Sequence, residues 1–524
     1  MKKNDNLALL LAFATTASLI GGGFWLLNQT TPGLLPVHPQ GQTSNPSQNP
    51  QTAQQLTVLG DTFSGYSTFR NAAFQTVLKE SGIRLRYQDE FDQAKRAERL
   101  NRGEADLIVT TLDQFLKQQP QGKIVGLIDR TVGADAVVLN TKKYPNLKSL
   151  LDLNQLVQQA QQQGRQLSIA FAGDTPSEYL ALVLDTKFEA FKLSEFRVIR
   201  VEDASEAWKL MQDPAQDVAI AIIWEPYVTQ ARQRGYTIVL SSRDAPGAIV
   251  DVIVASDRLI QSRPNQISEF LESYYRRIDA NVRDASQLQT QIAEDGNLSA
   301  SDAGAILRGI EFFTATEAQT WMTNQTLEKR IGSTAAVLVL AGRLNAVPPA
   351  IGNLYTPQFL TRAAKNTQTL VDLVRADNPQ LAERLAGKGR AIAPARQLSA
   401  SQVTAAPAIG NLQVRGVVSF AVGSAALTPQ GEQTLVKLAQ EIAEFSSQTV
   451  AVRVIGHTSR TGPADLNQTL SQQRASVVVE SLRRQGVKNS IVAEGKGYAE
   501  PLPNISPADA RNQRTEIRLV RVQL

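Results

Sequence analysis

A layered α/β architecture is what this 524-residue sequence predicts, and three patterns predict it. From Leu56 to about Ser256, short β-rich runs alternate with helix-period runs, as in sheets covered by helices. Residues 263–345 then read mainly as helix. From Val414 to Val520 the order is β-α-β-α-β-β, which suits a mixed sheet with helices on one face.

The first region begins with LTVL at Leu56–Leu59, a strand. Phe69–Leu78 has helical spacing, Ile83–Tyr87 alternates as a strand does, and Ala94–Leu100 is helical. ADLIVTT at Ala105–Thr111 reads as a buried strand. The alternation recurs at Gln166–Phe171, Leu180–Phe188, Phe196–Val201, Glu206–Met211 and Val218–Trp224. A hexapeptide, PAIGNL, occurs at Pro349–Leu354 and again at Pro407–Leu412, suggesting similar lead-ins to two segments. In the last region Val414–Phe420 is expected as a strand and Pro429 as the opening of a helix. Leu435, Leu438 and Ile442 share one face of that helix.

Composition narrows the function classes. Apolar residues at 42% and charged residues at 20% are globular values. The 54 basic and 49 acidic residues are interspersed, so no nucleic-acid footprint appears. Cysteine is absent, which excludes disulfides, thiolate metal sites and thiol catalysis. The two histidines, His38 and His457, do not make a metal centre. No nucleophile elbow, metal spacing or phosphate loop occurs, so no catalytic residue and no cofactor is assigned.

The N-terminus suggests an envelope protein. After Met1-Lys2-Lys3, the 21 residues Leu7–Leu27 carry no charge. At about 1.5 Å per residue they span an apolar layer of roughly 30 Å. This predicts an N-terminal transmembrane helix within residues 1–28, with a cleaved signal segment as the alternative. Lys2 and Lys3 would stay cytoplasmic and place the remainder in the periplasm. Residues 29–55, rich in Pro, Gln, Ser and Thr, are expected as a flexible tether.

Two resemblances emerge from motifs. FAVGSAALTPQGEQTLVKLA, IGHTSRTGPADLNQTLSQQRA, GKGYAEP and NQRTEIRL, in that order, resemble the OmpA-like peptidoglycan-binding domain over 412–524. The resemblance implies binding of a diaminopimelate centre of the wall peptide through Thr458, Ser459, Asn467, Arg474 and Arg514. Arg474 stands where the family takes the ligand carboxylate. Ser459 stands where it has an aspartate for the ammonium, and Asp465 is a nearby acid. Asn467 matches a helix-start position, where Asn caps well, and Asn512 belongs to the terminal block with Arg514.

The second resemblance rests on GDTFSGY (Gly60–Tyr66), ADLIVTT, AGDTPSEY (Ala172–Tyr179), WEPY (Trp224–Tyr227) and VDVIVA (Val250–Ala255). These resemble a type II periplasmic solute-binding protein, in the branch of nitrate, taurine and sulfonate receptors, over 56–345. It implies a two-lobed α/β periplasmic-binding-protein fold, and composition reads 346–411 as a helical and Ala/Pro/Gly-rich linker. Most of the blocks follow strands, where open α/β sheets bind ligands. The candidate ligand residues are Ser64, Gly65, Tyr66, Thr110, Thr111, Thr175, Ser177, Trp224 and Glu225. Ser64-Gly65 and Thr175-Pro176-Ser177 precede helices and favour an anion, whereas Glu225 repels one and favours an amine.

Two readings stand. One is a membrane-anchored solute receptor tied to peptidoglycan, serving an ABC permease or a sensor and binding an anion or zwitterion. The other is an envelope spacer linking inner membrane and wall without a ligand. Pyrimidine-synthesising relatives of the receptor fold use cysteine and histidine, which 56–345 lacks.

Overall fold

The computed structural model describes residues 54–387 and 398–522. The expected anchor at Leu7–Leu27 and nearly all of the tether lie outside them. Among the described residues no helix is long and apolar enough to cross a membrane.

Two sheets form the receptor-like part. The chain lays down β1 (Gln54–Gly60), β2 (Ile83–Asp89), β3 (Leu107–Thr111) and β4 (Gly122–Thr131), then crosses to a second lobe. There it forms β5 (Asp135–Leu139), β6 (Ser168–Ala172), β7 (Arg197–Val201), β8 (Val218–Trp224) and β9 (Thr237–Ser241). It returns as β10 (Val250–Ser256) and β11 (Ile310–Phe312). The first sheet has the order β11-β4-β10-β3-β1-β2 and the second β7-β6-β8-β5-β9. β1 is parallel to β2 and β3, and β6 to β7 and β8. The strands that enter or leave the other lobe run antiparallel: β10 beside β3 and β4, and β5 beside β8 and β9.

Sequence explains the layering. β3 (LIVTT) is buried at every residue, and β8 (VAIAIIW) at all but the last. Such runs fit strands covered on both faces. Caps start the flanking helices: Asn71 accepts from Phe74 N, Asp92 from Ala94 N and Lys95 N, and Thr175 from Ser177 N. The expected single helix at Phe69–Leu78 is broken at Asn71, where the backbone is extended, giving Ser67–Arg70 and Ala72–Glu80.

The two crossovers lie side by side. Gly133 N donates to Ser242 Oγ at 2.8 Å, and Glu225 N to Ala134 O at 2.8 Å. The helix Thr326–Leu340 packs with both lobes: Ala335 and Leu338 share one apolar cluster with Tyr179, Leu182 and Val183 of the second lobe and Phe115 of the first.

Residues 346–387, expected as linker, pack on the first lobe instead. Phe359, Leu360, Ala363 and Ala364 are buried in its core. The helix Thr361–Val374 lies against Pro264–Arg283, where Thr367 Oγ1 donates to Asp279 Oδ2 at 2.7 Å. Asp279 is 6% exposed, and burial pushes its carboxyl up to about 7. The folded chain therefore holds a proton that the unfolded chain, with a carboxyl near 3.9, releases. Stability falls as pH rises from about 4 to 7. Asp279→Asn keeps an acceptor for Thr367 and removes this penalty. The expected gain is about 1–3 kcal/mol at pH 8 and close to nothing at pH 4. Denaturant unfolding at both pH values measures it.

The C-terminal domain has the sheet β12-β15-β13-β14: β12 (Ala408–Asn411), β13 (Val450–Gly456), β14 (Ile491–Gly495) and β15 (Thr515–Arg521). Helices Pro429–Ile442 and Ala464–Arg484 complete the expected order. Its first strand is β12, inside the expected linker, not Val414–Phe420. Ile409 is fully buried and β12 pairs with β15, while Val417 stands 68% exposed.

This domain is docked on the second lobe within one compact unit. Phe188, Leu150, Ile409, Leu412 and Phe445 share one buried cluster. Lys187 Nζ reaches Glu441 and Glu444 at 3.0 and 3.1 Å, and Arg521 reaches Asp244 at 2.5 Å. Backbone bonds cross the seam too, from Glu189 N to Asn411 O and from Gln413 N to Lys187 O.

Candidate functional site

A cavity of about 390 Å³ opens at the crossovers. Both lobes line it: Ser64, Tyr66 and Thr111 from the first, Thr175, Trp224 and Glu225 from the second. Gly65, Thr110 and Ser177, also expected there, are not among its lining residues. Thr110 Oγ1 donates instead to Gln93 at 2.9 Å, and Ser177 is fully buried beneath its helix start. Gly65 has a different task. A Cβ there would sit 2.2 Å from Asp129 Oδ2, so only glycine lets this turn approach that carboxyl.

The expected anion cradles do not form in the way the sequence suggests. Ser64–Tyr66 is a 3-10 turn followed by a four-residue helix, so no sustained helix dipole points into the cavity. Thr175 spends its hydroxyl locally, donating to Ala172 O at 2.8 Å and accepting from Ser177 N.

The charged residues of the lining are all carboxylates among the described residues, and sequence reading missed most of them. Asp61, Asp135 and Asp251 join Glu225 inside; Asp174, Glu202 and Asp203 stand at the mouth. Among the described residues no lysine, arginine or histidine lines the cavity, although Arg232 and Arg308 act on Glu225 from outside the lining. Asp61 is held by the fully buried Arg96, Nη2 to Oδ2 at 2.9 Å. Glu225 accepts from Thr229 N and Oγ1, both at 2.9 Å. Asp251 accepts from the Tyr66 hydroxyl. Asp129, behind the lining, is fully buried on β4 beside it.

Asp129, Asp135, Asp251 and Glu225 are held toward their neutral forms. Burial, then Asp129's charge, pushes Asp251 well above the carboxylate range. Burial and Asp135 do the same to Asp129. Burial raises Asp135 to about 7, with Glu225 adding to it and Thr131 opposing. At the mouth, Asp174 pairs with Lys117 of the first lobe. The signal for the missed residues was present: acids inside apolar strand runs, as in VGLIDRT and ADAVVL.

A second candidate site lies in the C-terminal domain. Arg474 is 7% exposed, stacks 5.1 Å from the centre of the Phe420 ring and donates from Nε to Ser424 O at 3.0 Å. Among the described residues no carboxylate pairs with it, and burial lowers its pKa. Gln513 links it to Ser459: Arg474 Nη1 donates to Gln513 Oε1 at 3.4 Å, and Gln513 Nε2 to Ser459 Oγ at 3.2 Å. Gln513 was missed because a neutral amide between Asn512 and Arg514 drew no attention. Thr458 is buried, with its hydroxyl unpartnered.

The remaining predicted residues have structural tasks. Asn467 is not a cap; the helix starts at Ala464 with Pro463 in the cap position, and Asn467 Nδ2 ties down Thr461 O and Pro463 O. Arg514 is paired with Glu516 at 2.7 Å. Asn512 Nδ2 and Oδ1 brace the 502–507 loop. Asp465 is exposed on the first turn of its helix. His457 is buried and held neutral, its pKa lowered to about 4 chiefly by burial. Among the described residues no acid, histidine or cysteine cluster fits a metal ion.

Residues 419–515 match the OmpA family. Over 105 residues the chain is 45% identical to "Probable lipoprotein YiaD" of Escherichia coli (strain K12), covering 20% of this chain and 47% of that protein. Over 101 residues it is 36% identical to "Outer membrane protein A" of Shimwellia blattae, covering 19% and 42%. The chain thus spans under half the length of both relatives. Among solved structures, the alkanesulfonate-binding protein SsuA from Xanthomonas axonopodis pv. citri, bound to MOPS, aligns with 58% of this chain and 98% of its own. The TM-score is 0.44 and the identity 14%.

Proposed function

We propose that this chain, with an OmpA-family domain at its C-terminus and two α/β lobes before it, is a periplasmic solute-binding protein tethered to peptidoglycan. In this reading the cleft captures a small solute for an ABC-type uptake system or a sensor. The C-terminal domain holds the wall, and residues 1–28 anchor the chain in the inner membrane. The observation that carries the receptor half is the cavity at both crossovers, walled by groups from each lobe. That placement lets a ligand couple the lobes. The wall half is supported by Arg474, a buried guanidinium without an acidic partner among the described residues, in the family's carboxylate position.

The test is thermal melting of the full-length protein against a solute library. A bound solute at about 100 times its Kd adds about 2.7 kcal/mol. The same solute is expected to change tryptophan fluorescence in the parent but not in Trp224→Phe. If no solute raises the melting temperature, the receptor half fails and the spacer reading replaces it.

A further inference from the structure

We propose that the C-terminal domain grips a carboxylate whose neighbouring nitrogen is acylated, an amide N–H rather than a free ammonium, with Arg474 taking the carboxylate and Ser459 accepting from the N–H. This deepens, and rests on, the wall-binding half of the reading above.

The site holds one fixed charge. Arg474 is buried, and burial alone lowers its pKa, with no neighbouring acid acting against the shift. Its Nε is spent on Ser424 O and its Nη1 on Gln513 Oε1, which leaves Nη2 without a partner among the described residues. That is a donor kept for an anion. Uncharged groups continue the site from there. Gln513 Nε2 donates to Ser459 Oγ at 3.2 Å, and Thr461 Oγ1 lies 3.1 Å from the same oxygen. Thr458 and Ser459 are both buried, and the Thr458 hydroxyl has no partner.

Neighbouring acids do not alter this. Asp465 and Arg474 stand on one helix, two and a half turns apart, which puts Asp465 on the opposite face and roughly 13 Å away along the axis. Asp509 is committed to Arg511, Glu500 to Lys496, and Glu516 to Arg514 and Arg518. Arg460, next to Ser459 in the chain, adds a positive charge, stacked on Tyr498. An ammonium at Ser459 would exchange its hydration for hydroxyls that carry no counter-charge, which is costly. An amide N–H needs a single acceptor, and the Ser459 hydroxyl supplies it. In a wall cross-linked through a diamino dicarboxylic acid, the joining nitrogen is acylated and a free carboxylate stands on the same carbon.

The experiment measures retention of the full-length protein on purified sacculi cross-linked through diaminopimelate, before and after their free amines are capped with acetic anhydride. The parent is expected to be retained at least as well after capping. Ser459→Asp supplies an anion, so it should gain on untreated sacculi and then lose about ten- to hundredfold in affinity on capping. Arg474→Ala should fail on both preparations, which controls for the altered charge of the capped wall, and the melting temperature of each variant reports its fold. N-acetyl-D-alanine should displace the parent at concentrations where D-alanine does not. Cutting the cross-links with an endopeptidase should lower retention of the parent, and capping the amines so released should restore it. Retention that survives cutting assigns the same chemistry to acylated residues at the ends of stems. Loss of the parent from capped sacculi overturns the ligand class and leaves the wall reading standing. A folded Arg474→Ala protein retained on both preparations overturns the site. A parent retained on neither overturns the wall reading itself.

Discussion

Arg474→Ala is expected to abolish retention of the full-length protein on purified sacculi. The guanidinium is buried against Phe420, and no acid neutralises it among the described residues. In the wall-binding reading it is kept there for a ligand carboxylate, which a planar fork grips through two bonds. Removing a charge-assisted pair costs roughly 1.5–3 kcal/mol, up to about a hundredfold in affinity. Arg474→Lys keeps the charge without the fork and should fall between. Ser459→Asp should move binding the other way. It restores an anion for the ligand ammonium at a position that Gln513 already links to Arg474. Undiminished pull-down by a folded Arg474→Ala protein would refute the carried-over role.

Phe188→Ala is expected to cost about 3–5 kcal/mol, the range for truncating a fully buried aromatic. Phe188 is 0% exposed and meets Phe445 edge-on at 6.1 Å. It also lies 3.0 Å from where a Cβ on Gly410 would stand. It therefore belongs at once to the second lobe and to the surface on which the C-terminal domain sits. The loss should appear as a lower denaturation midpoint. Faster amide exchange at Glu189 and Gln413, whose N–H groups cross the seam, should accompany it. A midpoint shift below about 1 kcal/mol would mean that the seam is soft enough to close over the gap.

What the sequence made legible follows from where information is local. The alternation of strand and helix runs reported both sheets, because buried parallel strands are apolar throughout. The cleft residues Ser64, Thr111, Trp224 and Glu225 were found because they follow strand runs. Asp129 and Asp135 were not, since an isolated acid in an apolar run reads as an interruption. Only the fold reveals that three strands bring such acids together. The hexapeptide PAIGNL marks the limit most clearly. At Ile351–Leu354 it forms a 3-10 turn with open space around Gly352. At Ala408–Asn411 the same residues form an edge strand with Gly410 packed against Phe188 and Leu150. Identical local preferences yield different structures because a partner strand, β15, waits at one site and not at the other.

The docking of the C-terminal domain on the second lobe has a mechanical consequence. The chain leading in from residue 53 enters the first lobe at β1, whereas the wall-type domain is fastened to the second lobe. Tension applied between these two attachments runs through neither hydrophobic core alone. It is transmitted by the crossovers at 132–134 and 242–249, and as shear along the contact of Pro176–Lys187 with Thr326–Leu340. The crossovers also border the cavity, through Ala134 and Ile249. In the tethered-receptor reading proposed above, a pull that separates the lobes would also widen the pocket, so a bound solute would stiffen the tether and a taut tether would weaken the grip on that solute.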